Sequence, residues 1–178
     1  MAVDIPELDG PNASGLLRTS WFPLALSQPP CFFVVILLAA CNLASVGGAT
    51  GFAPLLLNLK AQALRSLSVS LLTYEKLGLG EQATDGVIGA IAKMASFEAM
   101  HGEVATYHLH MRALCRIIED HGGLDKLGLC GLLGRIVLWI DVNSAFLLKT
   151  DRYFPRECVM ATYQEPNPQA FIAAGPNT

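Results

Sequence analysis

The apolar residues of this chain recur at the three- and four-residue spacing that is typical of helices. No stretch alternates apolar and polar residues between hairpin turns, which is the pattern that a strand would show. The periodic segments predict helices at about 30–46, 54–77, 84–101, 103–121 and 131–149. We therefore predict an all-α fold, an antiparallel array of about five helices with irregular termini.

Residues that start or stop helices lie at the predicted boundaries. Ser27 precedes Pro29 and Pro30, and a serine cap with proline in the first turn is a common helix start. Glycine often follows the last turn of a helix because it tolerates a left-handed backbone. Glycines lie at four predicted stops, which are Gly47-Gly48, Gly78-Leu79-Gly80, Gly102 and Gly122-Gly123.

The last two predicted helices distribute their apolar residues differently. The helix at 103–121 carries them on one stripe, whereas the helix at 131–149 is apolar on almost every face. A helix of the second kind is usually buried inside a bundle. Few helices are available to cover it, so we expect an apolar patch to remain exposed on it or on the helix at 30–46.

Composition divides the chain into three regions. Residues 1–20 are rich in glycine, proline and acidic residues, and we expect them to lack fixed structure. Residues 21–155 hold the helical domain, and residues 156–178 form an irregular tail. The chain has 178 residues, of which 52% are hydrophobic, and this is enough to build a packed core.

Charge and cysteine usage exclude several classes of function. The formal net charge is −3 and no basic stripe is present, which argues against direct binding of nucleic acid. The five cysteines form no Cys-x-x-Cys pair, so neither a structural zinc site nor a disulfide framework is indicated. We predict free thiols, no metal and no cofactor.

An apolar run near the N-terminal end raises the question of a membrane anchor. Cys31 to Cys41 is an unbroken apolar stretch of eleven residues, and no charge lies between Arg18 and Lys60. A spanning helix needs about twenty apolar residues. A buried core helix is therefore favoured, and a membrane-associated protein anchored by residues 31–57 is the alternative.

Motifs that suggest enzymatic chemistry are incomplete in this chain. Glu98 and His101 form one Glu-x-x-His unit, whereas di-iron bundles use two such units and further glutamates. Gly78 to Ala83 matches the loose dinucleotide pattern but follows a predicted helix instead of a strand. His108 and His110 would point about 200° apart on a helix. We predict no catalytic, cofactor-binding or metal-binding residue and no enzymatic activity.

Polar residues within apolar helices are predicted to be structural. These candidates are Asp141, Glu98, His108, Arg112 and Asn143. Asp141 is the most informative, because an unpaired carboxylate in such a helix would cost several kcal/mol. We expect its partner on the preceding helix, among His108, His110, Arg112 and Arg116. A contact with a ligand in an effector pocket is the alternative for Asp141.

Three segments resemble the fungal-specific transcription factor domain, the regulatory region of fungal zinc-cluster transcription factors. The first has an aromatic-Pro-Leu-Ala start, a proline turn and an apolar helix. The second ends in Gly-Gly-Leu and Leu-Gly, and the third has a Trp-x-Asp helix. Their sequences are WFPLALSQPPCFFVVILLAACNLASV (21–46), HLHMRALCRIIEDHGGLDKLG (108–128) and LWIDVNSAFLL (138–148).

This resemblance implies a regulatory or interaction module in the nucleus, or otherwise in the cytoplasm. In the family, a separate zinc cluster reads DNA, and no such region precedes the similar residues 21–155, so the chain resembles a partial copy. The resemblance implies contacts with protein partners or a second copy through exposed apolar helix faces, with no direct contact to nucleic acid or membrane. A small-molecule-binding helical domain is a further alternative.

Overall fold

The protein is built from helices packed around one central helix. The computed structural model describes residues 5–9, 14–47, 51–77, 81–155 and 163–169. In these residues, short helical turns at Pro6–Leu8, Leu17–Trp21 and Leu124–Lys126 accompany six α-helices. The α-helices are α1 (Phe22–Ser27), α2 (Pro29–Gly47), α3 (Ala53–Leu77), α4 (Glu81–His101), α5 (Val104–Asp120) and α6 (Leu132–Leu148). The all-α prediction is confirmed, and α2–α6 correspond to the five predicted helices.

The helix starting near Ser27 is preceded by a helix that the sequence pattern did not predict. A π-helical turn at Leu17–Trp21 runs into α1, and Ser27 is the last residue of α1. Its hydroxyl donates to the Leu24 carbonyl at 3.0 Å, so Ser27 does not cap α2. The predicted stops at Gly48 and at 78–80 lie outside the described residues.

The central helix is α4, which packs against α1, α2, α3, α5 and α6. From Thr84 to Ala99 every residue is buried except Lys93 and Ser96, which are half-buried. The three- and four-residue spacing of the large apolar residues in this segment predicts one apolar stripe, but the structure buries the helix on all sides. Small residues make this possible, because glycine and alanine let neighbouring backbones approach closely. The small residues are Gly86, Gly89, Ala90, Ala92, Ala95 and Ala99.

Helix α6 is the second deeply buried helix. From Leu132 to Ala145 every residue is buried except Trp139, which is half-buried, and exposed Phe146 and Leu147 follow. Helix α6 packs on α4, and α5 also packs on α4. Helix α4 therefore provides the main packing surface for both α5 and α6.

Part of the N-terminal region packs on α6. The Arg135 side chain is buried, and its Nε donates to the Leu8 carbonyl at 2.9 Å. Burial lowers the pKa of Arg135, and the nearby Asp9 raises it. Leu8 and Leu16 are buried in the core. Fixed structure was not expected for residues 1–20; of these, residues 1–4 and 10–13 lie outside the described residues.

Helices α2 and α3 pack together at the edge of the array, and both carry exposed apolar side chains. Among the side chains of α3 that the structure describes, only Ala63 and Leu67 are buried. The large apolar side chains that these helices expose are Phe32, Ile36, Leu43, Val46, Leu55, Leu57, Leu64, Val69 and Leu72. By length and composition α2 is also long and apolar enough to cross a membrane. Its most apolar 18-residue stretch has a mean hydropathy of 2.1, and 28% of that stretch is buried inside the protein.

The close approach of Trp21, the last residue of the π-helical turn before α1, to α4 yields a test of the fold. A Cβ on Gly89 would lie 2.6 Å from a ring carbon of the buried Trp21. We therefore expect Gly89→Ala to destabilise the protein by about 1–3 kcal/mol, because the ring has no room to move. Chemical denaturation measures this change. Gly47→Ala is the matched control, since a Cβ there meets nothing within 4 Å; equal stability of the two variants would contradict the packing.

Candidate functional site

Asp141 is fully buried near the middle of α6 and binds the chain segment that follows this helix. Its Oδ1 accepts a hydrogen bond from the Tyr153 amide at 3.0 Å, and its Oδ2 accepts one from the Phe154 amide at 3.0 Å. The Arg152 Nε lies 3.6 Å from Oδ2. Burial raises the pKa of Asp141, whereas these two amides and Arg152 lower it.

The sequence predicted a partner of Asp141 on α5. This prediction is wrong, because the partners of Asp141 lie in the segment after α6. Arg112 and Arg116 are exposed, and His110 is buried near Glu98 and Lys60. His108 makes an indirect connection, because its Nδ1 lies 2.8 Å from the Tyr153 hydroxyl. The chain reverses after α6 at Lys149, whose φ is 55°, and this brings the amides of the following residues to the carboxylate.

Glu98 is buried at the corner between α4 and α5. Its Oε1 lies 2.7 Å from the Lys60 ammonium of α3, and its Oε2 accepts a hydrogen bond from the Glu103 amide at 3.1 Å. A Cβ on Gly102 would lie 1.8 Å from Oε2, so glycine leaves the space that the carboxylate occupies. Glu98 thus joins three helices, and its contacts explain its burial without a metal ion.

Asp85, near the other end of α4, binds a loop amide in the same way. It is buried, and its Oδ1 accepts a hydrogen bond from the Gly128 amide at 3.2 Å. A Cβ on Gly128 would lie 1.8 Å from Oδ2. Among the described residues, no group of three or more His, Cys, Asp and Glu is placed to hold a metal ion. The buried carboxylates instead bind the backbone of loops.

A cavity of about 500 Å³ lies between α2, α4 and α6. Its walls are mainly apolar, and the polar groups among its lining residues include serine, asparagine, lysine and histidine side chains. The lining residues are Ile5, Leu38, Asn42, Ser45, Lys93, Ser96, Met100, His101, Trp139, Ile140, Asn143, Ser144, Phe146, Leu147 and Pro168. A pocket of this size, with apolar walls and a few polar groups, is typical of small-molecule sites.

Two polar side chains at this cavity lack a full set of partners. Lys93 lies with its ammonium 5.6 Å from the centre of the Trp21 ring, and burial lowers its pKa to about 8, against a smaller opposing effect of Cys31. Asn143 is buried; its Nδ2 donates to the Trp139 carbonyl at 2.7 Å, but its Oδ1 has no hydrogen-bond partner among the described residues. The cavity is therefore the best candidate for a binding site.

The comparison with protein families identifies the chain. The model of the fungal specific transcription factor domain matches residues 10–172. This chain belongs to that family. No curated protein and no solved structure matches the chain.

The segments that carry the resemblance to the fungal-specific transcription factor domain surround α4. Residues 21–46 span α1 and α2, residues 108–128 hold most of α5 and the following turn, and residues 138–148 lie in α6. In the Trp-x-Asp unit the two side chains lie about 200° apart around the helix. Trp139 consequently lines the cavity, while Asp141 binds the backbone of Tyr153 and Phe154.

Lys93 and Arg135 were not among the polar residues predicted from the sequence to be structural or functional. Lys93 is the sole charged residue between Asp85 and Glu98, within a segment that is otherwise rich in apolar and small residues. That isolation was a usable signal, because a lone lysine in a buried helix needs a partner or an opening to solvent. The partner of Arg135 is a backbone carbonyl more than a hundred residues away, at Leu8, and no local pattern indicates such a contact.

The contacts of Asp141 predict a large effect of removing its carboxylate. We expect Asp141→Ala to destabilise the protein by about 3 kcal/mol or more, because the buried Phe154 amide, the partly buried Tyr153 amide and Arg152 lose their acceptor. Asp141→Asn should cost less, since it keeps one acceptor oxygen. Thermal denaturation measures both variants. A double-mutant cycle should couple Asp141 with Arg152 and not with the exposed Arg112, which is the control; an unchanged midpoint in Asp141→Ala would refute this account.

Proposed function

We propose that this chain is a non-enzymatic regulatory module of fungal transcription, acting in the nucleus through contacts with another protein chain. Membership of the fungal-specific transcription factor domain family supports the regulatory role. The observation that carries the contact surface is the exposure of apolar side chains on α2 and α3. Val46 is 72% exposed, Leu57 70% and Val69 65%, although each belongs to a helix that packs on the core.

The density of these side chains favours a protein partner. Scattered exposed apolar residues are normal on a protein surface, but apolar patches larger than a few hundred Å² usually mark an interface. Nine large apolar side chains are exposed on these two adjacent helices. Together they would offer a helix-lined surface to the apolar face of a partner.

Charge argues against DNA as the direct partner of this chain. The formal net charge is −3, and a surface that binds phosphates needs clustered lysine and arginine. We therefore propose that any DNA contact is made by another region or another protein. The chain itself would carry the regulatory contact.

A membrane-associated protein is the second candidate, because α2 has the length and hydropathy of a spanning helix. Against it, α2 contributes Cys31, Val34, Leu37 and Cys41 to the core. It also packs against both α3 and α4. A helix that supplies this much of a core is better explained as part of a bundle, and an apolar core helix passes the same length and hydropathy test.

A tethering assay tests the proposed function. The chain, fused to a heterologous DNA-binding domain in fungal cells, should change transcription of a reporter that carries the matching sites. The unfused chain should leave the reporter unchanged. Val46→Glu with Leu57→Glu should abolish the effect, because two charges on α2 and α3 oppose burial of this surface in an interface.

The matched control replaces two equally exposed apolar residues on other helices. Leu26 of α1 is 67% exposed and Leu109 of α5 is 58% exposed, so Leu26→Glu with Leu109→Glu should leave the reporter effect intact. A wild-type fusion without effect, or equal loss in both double variants, would contradict the proposal. Carbonate washing of membranes from the same cells distinguishes the second candidate: the tagged chain should be released, and retention would favour the anchor.

A further inference from the structure

The chemistry of the cavity between α2, α4 and α6 is asymmetric in charge. Among the described residues that line it, Lys93 and His101 are the ionisable ones, and none is an aspartate or glutamate. The other polar groups are serine hydroxyls and asparagine amides. Such a lining disfavours a cationic ligand, because a cation would meet no carboxylate. It is suited to a ligand whose charge is negative.

Lys93 lacks an acidic partner in the part of the chain that the structure describes. Its ammonium lies over the face of the Trp21 ring, 5.6 Å from the ring centre. Lys60, which is also half-buried, is held by Glu98 at 2.7 Å. A half-buried lysine beside an apolar cavity, with no carboxylate on it among the described residues, would be stabilised by an anion that enters the cavity.

Asn143 is a second, independent indication of a polar ligand. The residue is 9% exposed and lines the same cavity from α6, whereas Lys93 lines it from α4. Its Oδ1 is buried and has no hydrogen-bond partner among the described residues, and an unsatisfied buried acceptor is unfavourable. A ligand hydroxyl or a water held by the ligand would satisfy this oxygen.

We propose that this cavity binds an amphipathic carboxylate, with its apolar body between α2 and α6 and its carboxylate at Lys93. Leu38, Ile140, Phe146 and Leu147 provide the apolar walls. The volume of about 500 Å³ falls within the roughly 300–1,000 Å³ of small-molecule pockets. Lys93 acts as the selective group, because it distinguishes a carboxylate from an alcohol or an ammonium on the same apolar body.

The cavity is distinct from the surface of α2 and α3 proposed for partner binding. On α2, Leu38, Asn42 and Ser45 line the cavity, whereas Phe32, Ile36, Leu43 and Val46 are exposed. These two sets lie about one third of a turn apart around the helix. Ligand binding can therefore be measured on the isolated chain, and its result does not depend on the tethering assay.

Calorimetric titration with decanoate, decanol and decyltrimethylammonium, each below its micellar concentration, tests the proposal. Decanoate should bind at least roughly tenfold more tightly than decanol, because a hydrogen bond to a charged group contributes about 1.5–3 kcal/mol. Decyltrimethylammonium should bind most weakly. In Lys93→Met the affinity for decanoate should fall to that for decanol, whereas Lys76→Met, an exposed lysine of α3, should behave as the wild type.

Filling the cavity gives a test that does not depend on charge. Ser96 is half-buried and lines the cavity, so Ser96→Phe should abolish decanoate binding; its thermal midpoint shows whether it is folded. Amide chemical-shift changes caused by decanoate should centre on α4 and α6 around Lys93 and Asn143. Four results would each overturn the proposal. The first two are no binding of decanoate and equal affinity for the three probes. The others are an unchanged decanoate affinity in Lys93→Met and shifts confined to the exposed faces of α2 and α3.

Discussion

The burial of α4 is the constraint on which the rest of this structure depends. Five other helices pack against it, and it is the main packing partner of α5 and α6. Burial on all sides requires small residues where neighbours come closest. Gly89 accommodates the Trp21 ring, and Gly86 lies against Gln28. The remaining positions carry large apolar groups such as Ile88, Ile91 and Met94, and each contributes roughly 1.5–3 kcal/mol through burial.

A second regularity concerns the three carboxylates that are buried among the described residues. Asp85, Glu98 and Asp141 each accept a hydrogen bond from a backbone amide in a loop or at a helix start. Each carboxylate therefore fixes a connection to the helix that bears it, and a buried charge is tolerated because donors surround it. Lys93 departs from this arrangement, since its described contact is an aromatic ring. That difference separates the cavity from the structural polar groups.

Helix positions were predictable from the sequence because periodicity and glycine stops are local signals. The burial of α6 followed from its apolar composition in the same way. The burial of α4 on all sides did not, because alanine and glycine leave little trace in an apolar pattern. The partners of Asp141 were missed because they are backbone amides, which every residue carries. The turn before α6 was also not predictable from the sequence, because Leu129 and Cys130 adopt left-handed φ values of 59° and 55° where glycine would be expected.

Native-state hydrogen exchange measures the central role of α4 most directly. The amides of residues 87–99 should exchange the slowest in the protein, with protection equal to the free energy of global unfolding. The amides of α3, in which Ala63 and Leu67 are the only buried residues among those described, should exchange through smaller local openings. Protection of α4 that is equal to or lower than that of α3 would contradict an organisation around α4.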